Sequence, residues 1–328
     1  GGKIALLLPE SKTARYEAHD RPNFERKVQE LCADCEVIYS NADQDAAKQQ
    51  QQAEAAITQG AEVMVLDPVD SASAGGIARR AKQANIPVIS YDRLILDAPV
   101  DYYISFDNEE VGRLQGQNLI EQMGGSGEGK SIVMINGAPT DNNAKLFKQG
   151  AHEVLDKSGV EIAKEYDTPD WSPDKAQSQM EQAITAVGRN NIDGVYAAND
   201  GTAGGAIAAM KGAGLDPAEI PSTGQDAELA AIQRILAGEQ GMTVYKAIKP
   251  EAEAAAQLAV ALVRGEQPPS GLVNGRTDNG AGQVPSVLLK PIAVTKENVA
   301  DTVVADGFYS KQELCKGRYA EACASAGV

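Results

Sequence analysis

The polar and aromatic side chains that follow short apolar runs carry the chemistry that can be read from this sequence: Arg15 and Tyr16, Asp92 and Arg93, Asp141-Asn142-Asn143, Trp171, Asn199-Asp200, Gln225-Asp226 and Lys246. Arg and Lys donate hydrogen bonds, Asp accepts them and Asn does both. Each hydroxyl of a neutral polyol both donates and accepts, so this set suits a polyhydroxylated ligand, and its charged members make the stronger bonds. Tyr16 and Trp171 add flat faces against which the C–H face of a sugar ring packs. Nucleophilic and metal chemistry lack their parts. There is no Ser–His or Cys–His pairing, and the chain holds only His19 and His152. Each residue alone has a plainer reading: a local ion pair for Asp92-Arg93, a helix N-cap for Asn199, core packing for Trp171. Acid–base work by Asp92, Asp226 and Lys246 is the catalytic alternative. Hydrogen bonding to hydroxyls accounts for the set more simply, and the expectation is a protein without turnover and without a cofactor or metal.

The elements that must position these residues alternate. Short apolar runs at residues 3–8, 37–39, 63–66, 88–91, 132–135, 193–197, 222–224 and 242–245 read as strands. Helical patterns fill the intervals, such as 22–32 behind Pro22, 42–59 ended by Gly60, and 71–85. Strict strand–helix alternation predicts an α/β fold, with parallel sheets flanked by helices. The pattern recurs at an offset of roughly 130 residues, so two similar lobes are expected. In such sheets ligands bind beyond the carboxyl ends of strands, and these side chains follow strands. The run Gly124-Gly-Ser-Gly-Glu-Gly-Lys130 precedes a strand instead of following one, so it reads as a surface loop and not as a phosphate cradle. Gly204-Gly205 lies inside a helical pattern and predicts close packing.

The 328 residues carry a formal charge of −16, with a sequence pI near 4.6. An acidic surface repels phosphate backbones, which argues against nucleic acid. No apolar stretch of about 18 residues is present. Four cysteines form two local pairs, Cys32/Cys35 and Cys315/Cys323. Short-loop disulfides of an extracytoplasmic protein are the first reading, with a redox CxxC or a four-Cys zinc site as alternatives. Gly1-Gly2 runs directly into a strand, which reads as a processed chain.

Seven segments then carry a resemblance. They are Tyr91-Asp-Arg-Leu-Ile95, Tyr102-Tyr-Ile-Ser-Phe-Asp-Asn108, Asp141-Asn-Asn-Ala-Lys-Leu-Phe147, Asn199-Asp-Gly-Thr-Ala-Gly-Gly-Ala-Ile207, Gly224-Gln-Asp226, Met242-Thr-Val-Tyr-Lys246 and Val284-Pro-Ser286. In this order, over nearly the whole chain, they resemble the periplasmic sugar-binding proteins of the xylose-binding type, in the ribose/galactose-binding-protein-like superfamily. The resemblance implies the type I periplasmic-binding-protein fold, two lobes joined by three crossing strands. The lobes would be residues 1–106 with 247–283, and 107–246 with 284–328. Arg15, Asp92, Arg93, Asn143, Asn199, Asp226 and Lys246 would hydrogen-bond the ligand, and Trp171 would stack on it. Tyr16 stands where the xylose binders carry Trp, which bears on which sugar fits. The segment beyond about Tyr309, with Cys315 and Cys323, looks like an added tail, and the Cys32/Cys35 pair also departs from the family pattern.

The resulting expectation is an extracytoplasmic, periplasmic or lipid-anchored, monomeric solute-binding protein. It would capture xylose or a similar aldose by hinge closure and deliver it to the membrane permease of an ABC-type importer. A sugar-sensing receptor that presents its ligand to a chemotaxis or signalling partner is the alternative. A sugar-responsive repressor of the same fold is the less expected alternative, given the charge of −16 and a first strand that starts at Lys3 with no basic helix-turn-helix ahead of it.

Overall fold

The computed structural model describes residues 1–328. Twelve strands run in chain order: β1 (Lys3–Leu8), β2 (Glu36–Asn41), β3 (Val63–Leu66), β4 (Val88–Tyr91), β5 (Tyr102–Phe106), β6 (Ser131–Ile135), β7 (Glu161–Tyr166), β8 (Gly194–Ala197), β9 (Thr243–Tyr245), β10 (Gly275–Asp278), β11 (Gln283–Leu289) and β12 (Ile292–Val294). The helices that matter here are α1 (Arg21–Leu31), α2 (Ala46–Thr58), α3 (Gly75–Gln83), α4 (Asn108–Gln122), α5 (Asn142–Leu155), α6 (Pro173–Val187), α7 (Asp200–Gly212), α8 (Leu229–Leu236) and α9 (Ile248–Arg264). None is long and apolar enough to cross a membrane.

Local chemistry explains the ends of these helices. Pro22 opens α1, where a missing N–H costs nothing. Asp45 caps α2 by accepting from the Lys48 N–H, so the helix begins four residues after the expected 42. Ser172 caps α6 through the Lys175 N–H. Gly265, at φ 67°, closes α9 in the left-handed conformation that favours glycine. Residues 71–74 form a turn ahead of α3, which shortens the expected 71–85 helix at both ends.

The chain divides into two compact units, one of Gly1–Asp107, Thr140–Asn143 and Ala247–Lys290, the other of Asn108–Pro139, Ala144–Lys246 and Pro291–Val328. The first is built on a seven-stranded sheet in the order β10-β11-β5-β4-β3-β1-β2. All its neighbours pair in parallel except the β10–β11 hairpin, which turns through Gly280 and Gly282. Helices cover both faces, so β1, β3 and β4 are buried throughout or nearly so and read as continuous apolar runs. Because β11 stays in this sheet through Leu289, the last boundary falls after Lys290 and not after 283.

The second unit holds the parallel sheet β7-β6-β8 and an antiparallel pair, β9–β12. Residues 222–224, expected as a strand, make only one bridge, from Ser222 to Val195. The expected strand at 242–245 is β9 and pairs antiparallel, because β12 returns beside it from the last segment. Gly205 lets α7 lie against α6, since a β carbon there would sit 2.2 Å from the Pro173 carbonyl oxygen. Gly124, Gly125 and Gly129 all have positive φ in the loop between α4 and β6, with open space around them. Both cysteine pairs are disulfides, Cys32–Cys35 and Cys315–Cys323, and no thiol remains.

Candidate functional site

In the first unit, Arg15, Tyr16, Asp92, Arg93 and Asn143 lie together beyond the carboxyl ends of β1 and β4, and all are buried. Arg15 leads into a wide helical turn, Tyr16–Asp20, in which the Arg21 N–H donates to the Tyr16 carbonyl. That turn brings Asp20 beneath Arg15. The Arg15 guanidinium donates from Nε (2.9 Å) and Nη2 (2.7 Å) to the two Asp20 oxygens. Nη2 also reaches Glu251 on α9, and Nη1 reaches Asp92, both at 3.0 Å. Four of the five guanidinium N–H groups are thus committed, which fixes the plane of the head group. Tyr91 donates its hydroxyl to Asp20 from the other side.

Asp92 occupies a tight turn at φ 62°, with the Arg93 N–H donating to the Tyr91 carbonyl across it. A non-glycine residue in this region is held there by its surroundings. Those surroundings are Arg15, the Tyr16 hydroxyl at 3.3 Å and the Asn143 amide at 3.4 Å, all on the Asp92 carboxylate. Burial pushes the Tyr16 hydroxyl well above its ordinary pKa, so it stays protonated and donates. Its ring lies under two guanidinium groups, 4.9 Å from Arg15 and 5.9 Å from Arg93. Arg93 places Nε 3.2 Å from Asp141 and 3.7 Å from Asp67, and Nη1 donates to the Pro68 carbonyl at 3.2 Å.

In the second unit, Asn199, Asp226, Lys246 and Trp171 follow β8, the 222–224 segment, β9 and β7, and each is at most 4% exposed. Asn199 is the N-cap of α7, its side-chain oxygen accepting from the Thr202 N–H and hydroxyl. The plainer role therefore occupies that oxygen and leaves the amide NH2 outside the cap. Asp226 has φ 97° and donates its own N–H to the Val244 carbonyl, tying its loop to β9. Gln115 of α4 steadies both loops by donating to the carbonyls of Ala198 and Gly224. Lys246 lies 5.3 Å from the centre of the Phe147 ring, and Phe147 meets Trp171 edge-on at 6.2 Å. Trp171, with φ 55°, is packed into this unit's core cluster against Gly137.

Sequence reasoning passed over several residues of these clusters. Asp67 follows β3 and Glu10 follows β1, so the strand-end rule that found Asp92 applies to them equally. Phe147 was visible only as part of a motif. Glu251 gives no local signal, since it meets Arg15 from 236 positions away.

Two α/β units, each with a parallel sheet and polar residues beyond its strand ends, are the architecture of a type I periplasmic binding protein. The match of residues 4–267 to the periplasmic binding protein domain shows that this chain belongs to that family. It is 40% identical over 316 residues to the D-xylose-binding periplasmic protein of Escherichia coli, covering 95% of this chain and 92% of that one. A multiple sugar-binding periplasmic receptor of Rhizobium radiobacter is 33% identical over 331 residues, covering 95% and 92%. Among solved structures, a carbohydrate transporter solute-binding protein from Chloroflexus aurantiacus in complex with D-glucose superposes with a TM-score of 0.86. That match has 30% identity and covers 95% of this chain and 98% of the other.

Proposed function

We propose that this protein is an extracytoplasmic solute-binding protein that captures a monosaccharide, xylose or a similar aldose, by hinge closure. It delivers the sugar to the membrane permease of an ABC-type importer, and it acts as a monomer without chemical turnover. The observation that carries this reading is the Arg15–Asp92–Arg93 cluster. It is a buried set of charged groups held rigid by its own hydrogen bonds at strand carboxyl ends, where a neutral polyol finds preorganised donors and acceptors. Asn143, Asn199, Asp226 and Lys246 complete the hydrogen-bonding set, and Tyr16 and Trp171 supply the ring faces. The kinship with sugar-binding periplasmic proteins supports the same reading. A micromolar affinity for a pentose of about ten heavy atoms needs roughly −0.8 kcal/mol per atom, inside the ceiling for small ligands.

The test is a thermal-shift screen against D-xylose, D-glucose, L-arabinose and D-ribose, followed by calorimetry. A sugar that binds only the folded chain raises the melting temperature. At least one aldose should bind at micromolar concentration, and Arg93→Ala and Asp226→Ala should each weaken it by about 100-fold or more. Failure of every aldose to bind, or steady product formation from the bound sugar, overturns the reading.

A further inference from the structure

Asp67 directly follows β3 and is fully buried. Its backbone is pinned without help from its side chain. The N–H donates to the Leu7 carbonyl at 2.9 Å, and the carbonyl accepts from Gln49 Nε2 at 2.9 Å. Gln49 also accepts from the Val69 N–H at 2.9 Å, so one side chain of α2 holds the whole 67–69 turn. The carboxylate takes no part. Both its oxygens are buried, and neither has a hydrogen-bond partner in the protein. The nearest cation is Arg93 Nε, 3.7 Å away, which is itself without a well-aligned acceptor.

The neighbouring acids are used differently. Asp92 is held by Arg15, Tyr16 and Asn143. Asp20 is held by Arg15 and Tyr91. Glu10 accepts from the N–H groups of Lys12 and Thr13. A carboxylate offers about four acceptor positions, and leaving them unmet in a buried place is costly. The turn at 67–69 would close equally well around a side chain without charge, so its own geometry gives no reason for an acid here. Asp67 interacts electrostatically with Asp92, Arg93, Arg15 and Tyr16, groups already proposed to meet ligand, and with Asp20, the partner of Arg15.

We propose that Asp67 is a further specificity-determining residue of the first unit, whose carboxylate accepts hydrogen bonds from two adjacent hydroxyls of the bound sugar. This rests on the monosaccharide-binding reading above. Vicinal hydroxyls offer two donors at a spacing that two carboxylate oxygens can accept. Burial, followed by the charge of Asp92, holds the Asp67 acid well above the ordinary carboxylate range, while Arg93 and Arg15 pull it down. Hydroxyl donors stabilise the ionised form in the same sense as those guanidinium groups.

The test is a cycle between protein and ligand, read by calorimetry. The proteins are the unaltered chain, Asp67→Asn and Asp67→Ala, and the ligands are D-xylose, D-glucose and their 2-, 3- and 4-deoxy derivatives. In the unaltered protein, removing one of the hydroxyls that Asp67 receives should weaken binding by about 10- to 100-fold. In Asp67→Asn the parent sugar should be weakened comparably, and the same deoxy change should then cost less than threefold, since the interaction is already lost. Asp67→Ala, smaller and uncharged, gives the same comparison if the amide prevents folding, and thermal melts establish that each variant is folded. If every deoxy change costs the variants as much as it costs the unaltered chain, Asp67 is only structural and the proposal falls while the sugar-binding reading stands. If the unaltered chain binds none of the four aldoses of the thermal-shift screen, both fall; if it binds one of them but neither D-xylose nor D-glucose, the cycle is run with that sugar and its deoxy derivatives.

Discussion

Arg15, proposed above to bind ligand, is also a cross-link of the fold. Its single positive charge is shared among Asp20, Asp92 and Glu251, all within 3.0 Å and all buried. Removing one partner of a buried ion pair strands the others without compensation, which is costlier than the net worth of the pair. Arg15→Ala should therefore destabilise the protein by about 3–5 kcal/mol, besides weakening sugar binding. Denaturant unfolding measures this, and a loss below about 1 kcal/mol would show that the carboxylates relax into water. Arg15, Asp92 and Arg93 were legible because they follow strands in the chain. Asp20 and Glu251 were not, since one is recruited by an unusual helical turn and the other from α9.

At the scale of elements, the glycine after β6 decides where the tryptophan sits. A β carbon on Gly137 would lie 2.1 Å from Trp171 Cη2, so an alanine there must push the indole aside. Overpacking of this kind typically costs 1–3 kcal/mol. Gly137→Ala should weaken sugar binding by about tenfold, which corresponds to about 1.4 kcal/mol. It should also shift the fluorescence of the one Trp in the chain, which reports its surroundings without interference from another indole. Unchanged emission together with unchanged affinity would separate Trp171 from the site. Trp171 was singled out from the sequence by its rarity, and its packing into a core cluster was the plainer reading. The structure places it in that cluster, edge-on to Phe147 and against Gly137, as the plainer reading has it.

At the scale of the molecule, three buried acids lean the same way. Burial raises Glu10, Asp67 and Asp200 above their ordinary values, Asp200 to about 7. Asp200 is enclosed by Gln240, Thr243 and the Glu228 N–H. A folded-state pKa above the unfolded value means that the folded chain keeps protons the unfolded chain has lost. That stability is fully present below about pH 4 and drains as pH rises through the folded values, near 7 for Asp200. The sugar-free protein should thus melt at a higher temperature at pH 5 than at pH 8, and Asp200→Asn should flatten the profile. A melting temperature that climbs from pH 5 to 8 would show that these acids are ionised throughout. The charge of −16 adds repulsion in the same direction as pH rises.

The alternation of strands and helices and the residues at strand ends are local properties, legible before any fold is known. Hydrophobic runs of strand length and caps such as Asp45 act within a few residues, so they are legible one segment at a time. The partners drawn from afar come from the fold. Glu251 meets Arg15, β12 turns β9 into an antiparallel strand, and β11 keeps the chain in the first unit through Leu289. The fold also decides which acids are satisfied, leaving Asp92 with three partners and Asp67 with none among the protein's donors. Pairing between distant segments depends on which surfaces the folded chain brings together, and that is not encoded in the spacing of neighbouring residues.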